Sequence, residues 1–209
     1  MTKDNKYKRR AKMNMRKEEK SRPLYTYVVI LVVLIIINSL LAAFGEIHYP
    51  KAPGGVGLCL AVAFMIAFAL WFGAWGAIAA YAGGFIGYAG VLGGLPLDVN
   101  LYWSLANLWQ VLIPLIAFKR FDADIGLRTR RDFLIFLIFG WLLNNLVGAS
   151  WGASMAAIGG LVSWSDVSGI FTGGFIGNLI VTIVITTLLL RYITPIIQKA
   201  GVCVKKYWA

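Results

Sequence analysis

Apolar residues run without a charge from Leu24 to Phe44. As a helix this run is about 31 Å long, which matches the ~30 Å hydrocarbon core of a bilayer. Pro23 precedes it, where a helix's first turn tolerates proline. Gly45–Gly54 is a loop carrying Glu46, His48, Tyr49, Pro50, Lys51 and Pro53. Gly55–Leu95 then contains no charged residue. One helix of about 40 residues would reach roughly 60 Å, twice the membrane, so this region must hold two spans. Trp71-Phe72-Gly73-Ala74-Trp75-Gly76 is the hinge, with glycines for the turn and aromatics for the interface. A fourth span covers Leu101–Phe118 and a fifth Asp132–Gly148. Ala149–Val162 is moderately apolar and too short to cross comfortably, so a re-entrant or interfacial segment at 149–162 is expected there. The sixth span is Gly169–Leu190, with Arg191 and Pro195 marking its end. The pattern predicts an all-α fold, a polytopic membrane bundle of six transmembrane helices.

Charge adds orientation. Nineteen of the 20 Lys and Arg residues fall in three clusters: Lys3 to Arg22; Lys119, Arg120, Arg128, Arg130 and Arg131; and Arg191, Lys199, Lys205 and Lys206. Only Lys51 stands outside them. Basic segments stay on the cytoplasmic side, so both ends are expected inside, with an even number of crossings between successive clusters. The domains expected are a basic, disordered cytoplasmic tail at 1–22, a transmembrane domain at 23–195 and a basic cytoplasmic tail at 196–209. The apolar run after the first tail has no clear small-residue cleavage site, so it reads as an anchor in the plasma membrane and not as a removable signal. A chain that is 59% hydrophobic with mean hydropathy +0.74 is not an ordinary soluble one. Such a bundle would use nearly all of the 209 residues, so no soluble catalytic domain is expected. The net charge of +11 lies in tails and one loop, which favours membrane lipid headgroups as the partner and excludes nucleic acid. Cys59 in an apolar stretch and Cys203 in a tail are not expected to pair.

Candidate chemistry is sparse. There is one His, no metal-ligand motif, no nucleophile motif and no phosphate-cradling loop, so neither catalysis, cofactor nor metal is expected. No ionisable residue lies deep in a span, which argues against a proton relay. Asp132 suits the positive end of a helix. The membrane interior instead carries neutral amides: Asn38, Asn107, Gln110, Asn144, Asn145 and Asn178. An unpaired amide in hydrocarbon is costly. These side chains therefore either bond one another between helices or converge on a cavity and bond a ligand. Pro114 removes the backbone bond to the Gln110 carbonyl, leaving an acceptor there. Aromatics gather toward the outer surface, with Tyr49, Tyr102, Trp103, Trp109, Trp151 and Trp164 either as an interface belt or, in part, against a flat ligand. In the third span Gly76, Ala80, Gly84 and Tyr88, flanked by Gly73, Ala77, Gly83 and Gly87, form a small-residue face. That face serves either tight packing inside the bundle or docking of a separate subunit.

The layout resembles the substrate-binding S-components of energy-coupling-factor (ECF) vitamin transporters. The likeness lies in the long first outer loop, the glycine-rich paired spans with Phe72-Gly73-Ala74-Trp75-Gly76, and the amide-bearing second half. A second resemblance is to MASE1-type membrane sensor modules. It rests on Pro53-Gly54-Gly55-Val56-Gly57-Leu58, Leu105-Ala106-Asn107-Leu108-Trp109-Gln110, Leu127-Arg128-Thr129-Arg130-Arg131-Asp132-Phe133 and Gly174-Phe175-Ile176-Gly177-Asn178. The first resemblance implies a small-molecule ligand bound by Asn107, Gln110, Asn144, Asn145 and Asn178, with Trp109 and Trp151 packing against it. The ligand would be polar and uncharged or weakly charged, such as a vitamin. A separate energising partner subunit would drive uptake. The second implies a membrane sensor or assembly subunit that signals through a separate cytoplasmic partner.

Overall fold

The computed structural model of the protein describes residues 24–48, 57–88 and 94–203. The expected tail at 1–22, the loop residues Tyr49, Pro50, Lys51 and Pro53, and the end of the second tail from 204 lie outside the described residues. Residues through Ile30 form one compact unit, whose described part is the start of the first helix, and residues from Leu31 form the other.

The described chain is helical apart from one short ribbon. Helix α1 is Leu24–Phe44. Strand β1, Glu46–His48, pairs antiparallel with β2, Gly57–Cys59. Helices α2, Leu60–Phe72, and α3, Ala74–Tyr88, follow. After α4, Leu97–Trp103, and α5, Leu105–Arg120, come α6, Arg130–Ile158, and α7, Val167–Lys199. Among the described residues four stretches are long and apolar enough to cross a membrane: Tyr25–Phe44, Leu97–Arg120, Arg130–Ile158 and Val167–Lys199.

The hinge between α2 and α3 falls where the glycines and aromatics put it. Gly73 turns the chain at φ 60°, a conformation that favours glycine. The reversal is tight enough that a Cβ on Gly76 would collide with the Phe68 carbonyl and lie 2.6 Å from Ala69 Cα. At the open end of the hairpin, Cys59 Sγ meets Tyr88 Oη at 4.0 Å. The two helices are about 20 and 22 Å long, and α2 is buried along nearly all of its length.

Interhelical contacts fix the direction of every long element. Thr186 Oγ1 donates to the Ala63 carbonyl at 3.3 Å and Trp71 Nε1 donates to Thr194 Oγ1 at 2.8 Å, so α2 and α7 run parallel. Gly83 packs on Asn38 and Gly87 on Ser39 and Ala42, so α3 runs parallel to the part of α1 from Leu31 onward. Val99 against Gly159, Gln110 against Gly148 and Phe121 against Phe139 set α4 and α5 antiparallel to α6. Direction therefore alternates from α1 through α2, α3, α5, α6 and α7. These contacts also answer the question left open by the small-residue face, because Gly76, Gly83, Gly84 and Gly87 are all spent on packing inside the bundle.

Two boundaries differ from expectation. Residues 149–158 are continuous with the preceding span as the last turns of α6, which is 29 residues and about 44 Å long. Small residues here (Ala149, Gly152, Ala153, Ala156, Ala157) are buried and pack as a helix face, which mean apolarity alone underrates. The last helix runs past Leu190 and Pro195 to Lys199. Wide turns over Leu189–Ile193 precede Pro195 and place it in the first turn of a fresh α-segment, where its missing N–H costs little.

Wide turns also occupy Phe136–Leu143 in α6 and Thr182–Thr186 in α7. They have a geometric consequence. In a regular α-helix, residues four apart drift by roughly 40° per step. Yet Ile176, Ile180, Val184, Leu188, Tyr192 and Ile196 are all exposed, and Thr182, Thr186, Leu190 and Thr194 are all buried. Turns closed by i→i+5 bonds hold more residues and offset the drift, keeping both faces of α7 straight.

The basic end is built by the α5–α6 loop. Thr129 caps α6 by accepting from the Asp132 backbone N–H, and the Asp132 carboxylate accepts from the Thr129 backbone in return. Ile125 and Leu127 are buried under the loop. Arg128 pairs with Asp124 at 3.2 Å and donates to Gln198 at 3.4 Å, tying the loop to the end of α7.

Candidate functional site

The seven side chains singled out in the sequence do not form a single group. Gln110, Asn144 and Asn145 make one connected layer between α5, α6 and α7. All three are almost fully buried. Gln110 Nε2 donates to Asn145 Oδ1 at 3.4 Å, and Asn145 Nδ2 donates to Thr182 Oγ1 at 3.2 Å and to the Trp141 carbonyl at 2.7 Å. Asn144 Nδ2 donates to the Gln110 carbonyl at 3.4 Å. That carbonyl is the one Pro114 deprives of its helical partner, so the proline and Asn144 act together. The layer sits where α5 can approach α6 because position 148 has no side chain: a Cβ there would lie 2.5 Å from Gln110 Cγ.

Among the described residues, several buried polar atoms of this interior have no partner. They are Asn144 Oδ1, Asn178 Oδ1, Thr187 Oγ1 and both polar atoms of Asn38. The single unpaired atoms of Asn144 and Asn178 are acceptors. A buried group left without its hydrogen bond costs about 1–3 kcal/mol.

Trp109 and Trp151 do stack edge to face, with ring centroids 6.1 Å apart. Trp109 is 37% exposed, and Trp151 Nε1 donates to the Tyr102 carbonyl at 2.8 Å. Asn107 stands one turn before Gln110, with its carboxamide packed on Gly84. No hydrogen bond joins Asn178 to the layer among the described residues.

A second group was not singled out as a site. It consists of Glu46 and Cys59 on the ribbon, Tyr88 on α3 and Trp103 at the end of α4. Tyr88 and Trp103 meet edge to face at 6.5 Å, and a Cβ on Gly84 would lie 3.7 Å from the Tyr88 ring. The advance signals were the four-residue spacing of Gly84 and Tyr88, which reads as packing, and the place of Trp103 among the aromatics near the outer surface. Among the described residues no group of three His, Cys, Asp or Glu side chains is placed to hold a metal ion.

Comparison of the chain with models of known families, with curated proteins and with solved structures gave no match.

Proposed function

We propose that this chain is a multi-pass protein of the plasma membrane, with six crossings and both ends in the cytoplasm, that serves as the small-molecule-binding component of a transport system. In this reading it works as S-components of energy-coupling-factor transporters do, taking up a vitamin-like polar compound. The alternation of helix direction supports six crossings, with the short α2–α3 hairpin supplying two of them. The described cations Lys119, Arg120, Arg128, Arg130, Arg131, Arg191 and Lys199 all lie at one end of the bundle, which supports that end as cytoplasmic. Cysteines placed at Ser165 and Asp122 in a Cys59- and Cys203-free chain should then react with an impermeant maleimide from opposite sides.

The observation that carries ligand binding is the orphaned acceptor of fully buried Asn144, with that of Asn178 on the neighbouring helix. A guest that brings N–H or O–H donors would satisfy oxygens that packing leaves bare. Asn107, Gln110, Asn144, Asn145 and Asn178 form the lining in this reading, with the edge-to-face pair of Trp109 and Trp151 packing against the ligand. Uptake requires an energising partner, since the sequence has no nucleotide-binding motif.

A second reading, a MASE1-like sensor, is favoured by one contact. Arg128 ties the basic loop to Gln198 at the end of α7, so a shift of α7 on ligand binding would reach the cytoplasmic face. Gentle extraction of the tagged chain with its partners separates the two. A co-purifying ATPase-bearing complex supports transport and a kinase or cyclase supports sensing. A chain that brings only lipid contradicts both.

A further inference from the structure

Helices α6 and α7 are antiparallel neighbours. Trp141 Nε1 donates to the Leu179 carbonyl at 2.8 Å, and at the basic end the Arg191 guanidinium lies 5.9 Å from the centre of the Phe133 ring. On both helices the residues that meet the partner come one position before exposed apolar ones. Phe133 and Trp141 precede Leu134 and Leu142, and Leu179 and Arg191 precede Ile180 and Tyr192. One residue turns a helix by about 100°. In antiparallel partners that turn brings both exposed rows to the same side of the seam. Leu134, Ile138 and Leu142 therefore run beside Leu188, Val184 and Ile180.

An arginine stands at the head of each row. Arg130 precedes Leu134 by four residues and Phe133 by three, so it neighbours both on the helix surface. Arg191 follows Leu188 by three and sits over the Phe133 ring, whose face attracts a cation. The two guanidinium groups thus flank one ring. Both arginines are exposed, and among the described residues neither pairs with a carboxylate. The nearby acids are engaged elsewhere. Asp132 is buried and accepts from Thr129 and from the Asp124 backbone N–H, while Asp124 pairs with Arg128. A phosphate matches two such planar forks better than any neutral group does. The α6 helix is also longer than the ~30 Å hydrocarbon core, so its first turn reaches headgroup level.

We infer that Arg130, Arg191 and Phe133 form a binding site for an anionic membrane phospholipid. The two guanidinium groups hold its phosphate, and its acyl chains lie along the α6–α7 seam. Continuity of the arginines with two apolar rows points to a lipid, because a soluble phosphate would leave those rows uncovered. The inference rests on the proposed membrane-spanning fold and not on small-molecule binding. It narrows a general attraction of basic segments for lipid to one site.

The test uses the full chain in nanodiscs of phosphatidylglycerol and phosphatidylcholine in equal parts, with matched acyl chains. Native mass spectrometry of the released protein reads which lipid stays bound. Phosphatidylglycerol should be retained at least about tenfold more than phosphatidylcholine, a difference of ~1.4 kcal/mol. Arg130→Gln combined with Arg191→Gln should abolish the preference. Arg120→Gln combined with Lys199→Gln removes as much charge from the same end and should keep it. All four side chains are exposed, so both variants should melt like the unmodified chain by circular dichroism. No preference in the unmodified chain, or one that survives loss of Arg130 and Arg191, would overturn the inference. Equal loss in both variants would overturn it too, by showing attraction to net charge alone. So would displacement of phosphatidylglycerol by inorganic phosphate, which would assign the arginines to a soluble anion. Flotation with phosphatidylcholine liposomes separates the site from the fold beneath it. A chain that floats but shows no preference loses only this site; a chain that does not float loses the spanning fold as well.

Discussion

Gly148→Ala tests the amide layer at its tightest point. The new Cβ would lie 2.5 Å from Gln110 Cγ and closer still to the amide end of that side chain, so Gln110 must leave its place. Its bond to Asn145 is then lost, which in a membrane interior is worth about 0.6 kcal/mol. Overpacking a close contact costs a further ~1–3 kcal/mol. Against this, alanine is better than glycine in a helix by up to ~1 kcal/mol. The net expectation is a destabilisation of about 1–3 kcal/mol. Gln110→Ala removes the group that collides. In that background Gly148→Ala should become neutral or stabilising by up to ~1 kcal/mol, because only the helix-propensity gain remains. The double-mutant cycle should therefore show a coupling of roughly 2 kcal/mol between the positions, with the double variant more stable than the sum of the single changes implies. Reversible unfolding by dodecyl sulfate in mixed micelles, followed by circular dichroism, measures all four corners. Effects that add to within about 0.5 kcal/mol would refute the contact and with it the layer.

Two further outcomes follow from contacts elsewhere in the bundle. Gly76→Ala places a Cβ against backbone atoms of Phe68 and Ala69, which cannot rotate away, so the α2–α3 hairpin should lose about 3 kcal/mol or more; the variant's yield of monodisperse protein on size exclusion checks this. Thr194→Val keeps the shape of a buried side chain but leaves Trp71 Nε1 without its acceptor, at a cost of about 1–2 kcal/mol; Thr194→Ser, which retains the hydroxyl, should recover most of it in the same unfolding assay.

Much of the architecture was legible because hydrophobic length and glycine placement are local properties. The uncharged run to Phe44 became α1 with its expected bounds, and the turn at Gly73 fell inside the expected hinge. The shortness of α2 and α3 was not legible, since a fully apolar stretch does not say where the helix yields to ribbon and loop. Nor were the wide turns of α6 and α7. The eight-residue spacing of Thr186 and Thr194 shows in the sequence but gains meaning only beside Ala63 and Trp71, about 120 residues away.

The site was half legible for the same reason. Polarity in an apolar span identified Gln110, Asn144 and Asn145, and the proline rule identified the Gln110 carbonyl that Asn144 takes. Whether such amides satisfy one another depends on which helices are neighbours. The structure gives Asn145 a full set of partners and leaves Asn144 Oδ1 bare. The edge-to-face pairing of Trp109 and Trp151 was not legible, because an aromatic near an interface looks alike from the sequence whether it faces lipid, ligand or another ring. That Glu46 and Cys59 share a face beside Tyr88 was not legible, because ribbon register brings together residues with no local spacing in common.

The most direct test of ligand binding is native mass spectrometry of the purified chain beside its Asn144→Leu variant. Leucine keeps the branched shape of asparagine with somewhat bulkier ends, and it removes the bare acceptor together with the donor to the Gln110 carbonyl, so circular dichroism checks that the variant is folded. We expect the unmodified chain to carry a discrete non-lipid compound and the variant, still folded, to carry none. Two chains that both retain only lipid would contradict the account and leave the amides as interhelical packing.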